Sequence, residues 1–220
     1  MSFFKASRKA EDVKSGGSAY VNGSGVYPVT ILAPVVSVSN NGSTSVDMFI
    51  EHNGQKQIIY GNLRITNNNG AENKIGSKVF NQLLVVSGVD NVADPVEVDL
   101  PIGKGGAMKT VSGLADLSDI ECLMRIQMEY GIWNGSFTEK KVIKGFYRAD
   151  KATAEEIVND SDVGAGYEKD SKYFNNVTYQ DGVTPEAIQA WVSANRPKDT
   201  AGDSGEAKPA PSFGNKRFGK

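Results

Sequence analysis

Hydrophobic positions in this chain alternate with polar ones far more often than they recur at helical spacing, and turn dipeptides break up the alternation. Val26 to Val38 reads as a strand, with Pro28 and Pro34 placing it at a sheet edge or a bulge, because proline cannot donate to a ladder. Asn40-Asn41-Gly42 supplies the left-handed conformations of a tight hairpin turn. Thr44 to Glu51 sets Val46, Met48 and Ile50 against Asp47, Phe49 and Glu51, a strand of period two. Asn53-Gly54 is a second turn signal, and Lys56 to Ile65 is a third strand. Three successive strands joined by short turns predict an antiparallel meander.

The period then changes. Val79, Leu83, Leu84 and Val86 fall at helical spacing, which predicts a helix over 76–88 closed by Gly88. Pro95 to Pro101 has the look of a short strand, and Gly103 to Gly106 of a mobile loop. Ile120 to Tyr130 and Ser136 to Arg148 are long alternating runs around Gly131-Ile-Trp-Asn-Gly135, hence a hairpin with an aromatic tip. The order strand, strand, strand, helix, strand, strand is that of a mainly β, five-stranded OB-fold-like antiparallel barrel with a helix between strands three and four. The short strand near 96–100 is then an embellishment.

Beyond residue 150 the composition turns acidic. Thr153-Ala-Glu-Glu156 has the form of a capping box ahead of a short helix. Thr184-Pro185-Glu186 places an N-cap before a proline at the first helical position, and Ile188, Trp191 and Val192 on that helix are expected to dock on the barrel. From Arg196 onward Pro, Gly, Ser, Lys and Asp dominate, a composition that predicts disorder. The expected organisation is a flexible basic leader over 1–19, an OB-fold-like domain over 20–150, an acidic helical extension over 151–195, and a disordered basic tail over 196–220.

The net charge of −2 hides an uneven distribution. Lys5, Arg8, Lys9 and Lys14 outnumber Glu11 and Asp12 at the start, and Arg196, Lys198, Lys208, Lys216, Arg217 and Lys220 outnumber the acids of the tail. Both ends are therefore cationic arms on an acidic body. No signal peptide or membrane span is evident: Met1 to Lys14 is polar, and Val26 to Val38 is interrupted by its prolines. With a single cysteine, Cys122, no disulfide framework and no cysteine-based zinc site can form, and its apolar alternation with Met124, Ile126 and Met128 predicts a buried, inert thiol. These features suit a reducing cytoplasm.

Catalytic signatures are sparse. The single histidine, His52, adjoins the Asn53-Gly54 turn, where exposure to solvent is expected, and one histidine cannot build a typical zinc centre. No serine sits in a Gly-x-Ser-x-Gly context. Gly103-Lys104-Gly105-Gly106 lacks the ending and spacing of a phosphate loop, although Lys104 could touch a phosphate backbone. Asp116, Asp119 and Glu121, and likewise Asp160 and Asp162, read as solvated acidic surface. The expectation is a binding protein with no catalytic residues, no metal and no cofactor.

The strand faces say more. In the third strand Ile59, Leu63 and Ile65 point one way, and Lys56, Tyr60, Asn62 and Arg64 the other. A row of cation, ring and cation suits single-stranded nucleic acid: the charges meet phosphates and the ring stacks on a base. In the fifth strand Lys140, Lys144 and Arg148 share a face with Val142 and Phe146, with Lys141 and Tyr147 opposite. Trp133 and Phe137, at and just after the hairpin tip, border the groove that an OB-fold uses for binding. A solvated outer sheet face carries the same residue types, so the pattern leaves both readings open. A one-residue slip in register would also exchange the two faces.

Gly76-Ser-Lys-Val-Phe-Asn-Gln-Leu-Leu-Val-Val-Ser-Gly88, a helix after a three-strand meander, resembles the corresponding segment of phage single-stranded-DNA-binding proteins of the replication and recombination group. The resemblance covers roughly residues 20–150. It implies an OB-fold and sequence-tolerant binding of single-stranded DNA in replication, recombination or repair; proteins of those processes are candidate partners, and the sequence leaves a homo-oligomer open. With the strand faces read above, the candidate contact set is Lys56, Tyr60, Arg64, Trp133, Phe137, Lys140, Lys144 and Arg148. Many such proteins end in an acidic tail closing on an aromatic residue, whereas this chain ends Phe213-Gly-Asn-Lys-Arg-Phe-Gly-Lys220. Phe213, Lys216, Arg217 and Phe218 are thus candidate second contacts with nucleic acid. A structural or virion-associated β-protein is the main competing reading, followed by a module for duplex or RNA.

Overall fold

The computed structural model describes residues 20–195. The expected leader, and the tail with Phe213, Lys216, Arg217 and Phe218, lie outside the described residues. The strands are β1 (Gly25–Val38), β2 (Thr44–His52), β3 (Gln55–Arg64), β4 (Val96–Leu100), β5 (Lys109–Gly113), β6 (Ile120–Trp133), β7 (Ser136–Tyr147) and β8 (Val177–Tyr179). The helices are α1 (Lys74–Ser87), α2 (Ala154–Asn159), α3 (Ala165–Ser171) and α4 (Pro185–Asn195).

Five antiparallel strands, in the spatial order β3-β2-β1-β6-β7, curl into a half-barrel of OB-like element order. No ladder joins β3 to β7 among the described residues, so hydrogen bonds leave a seam there. Helix α1 packs against both strands that border it. Its N-cap is Asn73, whose side chain accepts from Gly76 N, and Gly88 closes it in the left-handed conformation. Val79, Leu83 and Val86, spaced along one face, enter the core beside Ile59, Leu63, Met124 and Phe146. Gly76 lets the first turn lie on β3, since a Cβ there would stand 1.9 Å from the Arg64 carbonyl oxygen.

Strand β1 is interior, not the edge that its prolines suggested. It pairs with β2 along one side, and along the other with β6 and then β5. Each proline nitrogen faces a gap in a ladder. The Pro34 carbonyl accepts from Leu114 N, so its nitrogen points to the side where pairing with β6 has ended at Ile31 and pairing with β5 begins at Val35. The Pro28 carbonyl faces His52, two residues before the β2 ladder starts at Thr30. Missing donors are thus tolerated where no acceptor waits for them, and a register shift between Ile31 and Ala33 supplies the bulge.

The 96–100 strand forms as expected, but with a partner, β5, that the sequence did not reveal; together they make a hairpin on the edge of β1. The aromatic tip is tighter than predicted. β6 and β7 run on to Trp133 and Ser136, and Asn134 and Gly135, both at positive φ (50° and 75°), form a two-residue turn. The acidic extension packs on the sheet, and it is not purely helical: β8 joins β6 in parallel at Met128 to Tyr130. The expected capping box of α2 is present, and α4 brings Ile188 into the core and Trp191 against Phe137, ring centroids 6.1 Å apart. No helix among the described residues is long and apolar enough to cross a membrane.

Candidate nucleic-acid interface

The outer face of β3 is as the alternation predicts. Ile59 and Leu63 are buried, and Lys56, Tyr60 and Arg64 are exposed. Between Val46 and Met48 the pairing jumps from Leu63 to Ile59, so three β3 residues stand opposite one of β2. Because the excess is even, the bulge leaves Ile59 and Leu63 on the same side, and with them the outward row.

The β7 face differs from the prediction. Ile126 pairs with Ile143 but Arg125 pairs with Gly145, leaving Lys144 as one extra residue. An odd insertion reverses the alternation beyond it. Lys140 and Val142 face outward, opposite Glu129 and Gln127, whereas Phe146 turns into the core opposite Met124. Tyr147 takes the outer face instead, where α3 and the segment after it cover it. Its ring meets Tyr167 and Phe174, and its hydroxyl donates to Asp170 at 3.0 Å. Burial, and then the Asp170 carboxylate, hold this phenol above its usual pKa range.

Two expected contacts are engaged within the protein. Lys144 Nζ lies 3.1 Å from Glu129 Oε1. Arg148, just past the end of β7, forms a two-pronged bond to Asp150, Nε to Oδ1 at 3.0 Å and Nη2 to Oδ2 at 2.8 Å. That pairing lowers the Asp150 pKa and raises that of Arg148. The two aromatic candidates part company as well. Phe137 pairs with Ile132 and is partly buried, its ring against Trp191, whereas Trp133 pairs with Ser136 on the outer face and is 71 % exposed. The outward set is therefore Lys56, Tyr60 and Arg64 on β3 with Trp133 and Lys140 on the β6–β7 hairpin.

Below the hairpin tip a cleft of about 450 Å³ opens beside Glu129, Trp133, Lys140, Gln180 and Asp181. Sequence reasoning passed over Gln180 and Asp181. Asp181-Gly182 is a turn dipeptide, and that signal was available, but only the parallel pairing of β8 with β6 brings the turn here.

His52 is buried, contrary to the expectation of a solvated turn residue. The Pro28 carbonyl can only accept, so His52 Nδ1 carries the proton of their 2.8 Å bond, and Nε2 accepts from Asn53 Nδ2 at 3.1 Å. Tyr27 meets the imidazole edge-on. Cys122 is buried as expected, and desolvation pushes its thiol pKa up to about 12. Asp116 accepts from Ala93 N at 2.7 Å. Among the described residues no three His, Cys, Asp or Glu side chains gather where a metal could sit.

These features define a mainly β protein with an OB-like half-barrel and an exposed cationic and aromatic outer face. No protein-family model matches the chain, and no curated protein matches it.

Proposed function

We propose that this chain binds single-stranded DNA without strong sequence preference, through the outer face of the half-barrel, and protects it during replication, recombination or repair. The observation that carries the reading is the row on β3. Tyr60 is 59 % exposed and stands between the exposed Lys56 and Arg64 on one side of the strand. A ring in that setting offers a stacking platform, and the flanking cations track phosphates. Trp133 and Lys140 repeat the pairing of ring and charge on the hairpin. Lys144 and Arg148 contribute less, because binding a phosphate would first require them to release Glu129 and Asp150. The mechanism involves no covalent chemistry. Proteins that act on the same strand are the natural partners, and the buried Cys122 thiol suits a reducing cytoplasm.

The test is fluorescence anisotropy of labelled oligothymidine over a salt titration, beside a duplex of the same length. The expected result is tight binding to the single strand, weak binding to the duplex, and affinity falling steeply with salt. No binding at low salt would remove the reading and leave a structural role for the fold.

A further inference from the structure

The cleft below the hairpin tip has a construction that backbone tracking does not need. Its volume of about 450 Å³ lies within the roughly 300–1,000 Å³ of small-molecule sites. Asp181 is held in place by its turn and by one hydrogen bond. It sits at φ 55° and Gly182 at 73°, in a turn closed by Val183 N donating to the Gln180 carbonyl at 3.0 Å. Its Oδ2 accepts from Ile132 N at 3.1 Å. Gly131 makes room for that carboxylate, since a Cβ at 131 would stand 3.0 Å from Asp181 Oδ2.

The other acid of the cleft has a protein donor on each of its oxygens, where Asp181 has one on Oδ2 alone. Glu129 Oε1 is taken by Lys144 at 3.1 Å, and Oε2 accepts from Gln180 Nε2 at 3.5 Å. Asp181 keeps acceptor capacity on both oxygens, because each carboxylate oxygen has two lone-pair sites and only one site on Oδ2 is filled. Beside it stands the Trp133 ring, 71 % exposed. Lys140 and Lys144 balance the two carboxylates, so the cleft does not repel a nucleotide outright.

We propose that this cleft receives a guanine base of the bound strand, with Asp181 as the residue that selects it. The proposal rests on the single-stranded-DNA reading above and adds a preference at one position. Guanine presents two adjacent donors on its Watson–Crick edge, the ring N1–H and the exocyclic amine, and a carboxylate can accept both. Thymine offers one N–H between two carbonyl oxygens, which a carboxylate repels. Cytosine and adenine place a ring-nitrogen acceptor beside their single amine. Unstacked bases of a single strand expose these edges, and Trp133 stacks on the base that the carboxylate holds.

The experiment compares labelled oligothymidine with the same oligomer carrying one internal guanine, or one hypoxanthine, which lacks the exocyclic amine. Each is titrated with the full-length protein and with Asp181→Asn, whose side-chain oxygen still accepts from Ile132 N. One guanine is expected to tighten binding about tenfold, the low end for a bidentate base contact. Hypoxanthine should recover only part of the gain, and Asp181→Asn should abolish the difference between the guanine and thymine oligomers. Equal affinity for the guanine and thymine oligomers overturns the guanine site and leaves the single-strand reading standing. A guanine preference that survives Asp181→Asn also overturns it. Absence of binding to every oligomer overturns both.

Discussion

Tyr60 and Trp133 lie 59 % and 71 % exposed on the outer face, so neither ring is needed to fill the core. Changing each to alanine is expected to weaken single-strand binding by about 1–3 kcal/mol per ring, the worth of one base–aromatic stack. The thermal midpoint should not move. Glu156 has the opposite profile. Its carboxylate accepts from Gly166 N at 2.6 Å, Thr153 N at 2.8 Å and Gly164 N at 3.3 Å. These bonds, that from Gly166 foremost, pull its pKa down to about 2. A depressed folded pKa contributes stability that is fully present above the ordinary value of 4.5 and is lost as pH falls toward about 2. Glu156→Gln should therefore lower the urea midpoint at pH 7, and the difference from the parent should shrink through that window. A constant difference from neutral to acid pH would show that the charge is not what ties α2 to α3.

Helix α1 lies so close to β3 that residue 76 has no room for a side chain. Gly76→Ala should destabilise the fold by roughly 1–3 kcal/mol, as overpacking does, readable as a lower denaturant midpoint with an unchanged slope. This element was legible in the sequence because Val79, Leu83 and Val86 repeat at helical spacing before a glycine cap. The meander was equally plain from Asn-Gly turns and period-two runs. Strand β5 was not, since Lys109-Thr-Val-Ser-Gly113 has one apolar residue and little burial; it exists because β1 and β4 offer it two edges. Strand β8 is three residues long and is defined by β6. The outward row of β3 was readable because its bulge adds an even number of residues. The β7 face was misread because Lys144 adds one, and no local signal beyond Gly145 marks the reversal that sent Phe146 inward. The burial of His52 depends on the Pro28 carbonyl, which the fold brings to it from a distant part of the chain.

Taken whole, the molecule is an acidic body whose exposed barrel cations are few. Lys56, Arg64 and Lys140 form no ion pair among the described residues, while Lys144 and Arg148 do. If these three neutralise one phosphate each, the slope of log affinity against log salt should be about −2 from the barrel, at roughly 0.7 per contact on a single strand. Replacing both Lys216 and Arg217 by alanine in the full chain should then flatten the measured slope by a further unit or more if the tail also touches phosphate. An unchanged slope would assign binding to the barrel alone.

The two partners that share one side of β1 also carry a consequence for how the protein is made. The partner on one side of β1 is β2, a few residues downstream, but its other side waits for Ser112 and Gly113 and for Ile120 to Ile126, closures spanning roughly 75 to 100 residues. During vectorial synthesis that side of β1 therefore leaves the ribosome bare, a row of open donors and acceptors next to apolar Val29, Ile31 and Val35. Pro34, whose nitrogen faces that side, interrupts the row at mid-strand, where a foreign strand would otherwise find a continuous template. The residue that fits a gap in the finished sheet is thus expected also to disfavour foreign pairing, and Pro34→Ala should aggregate more on refolding from denaturant, read by light scattering.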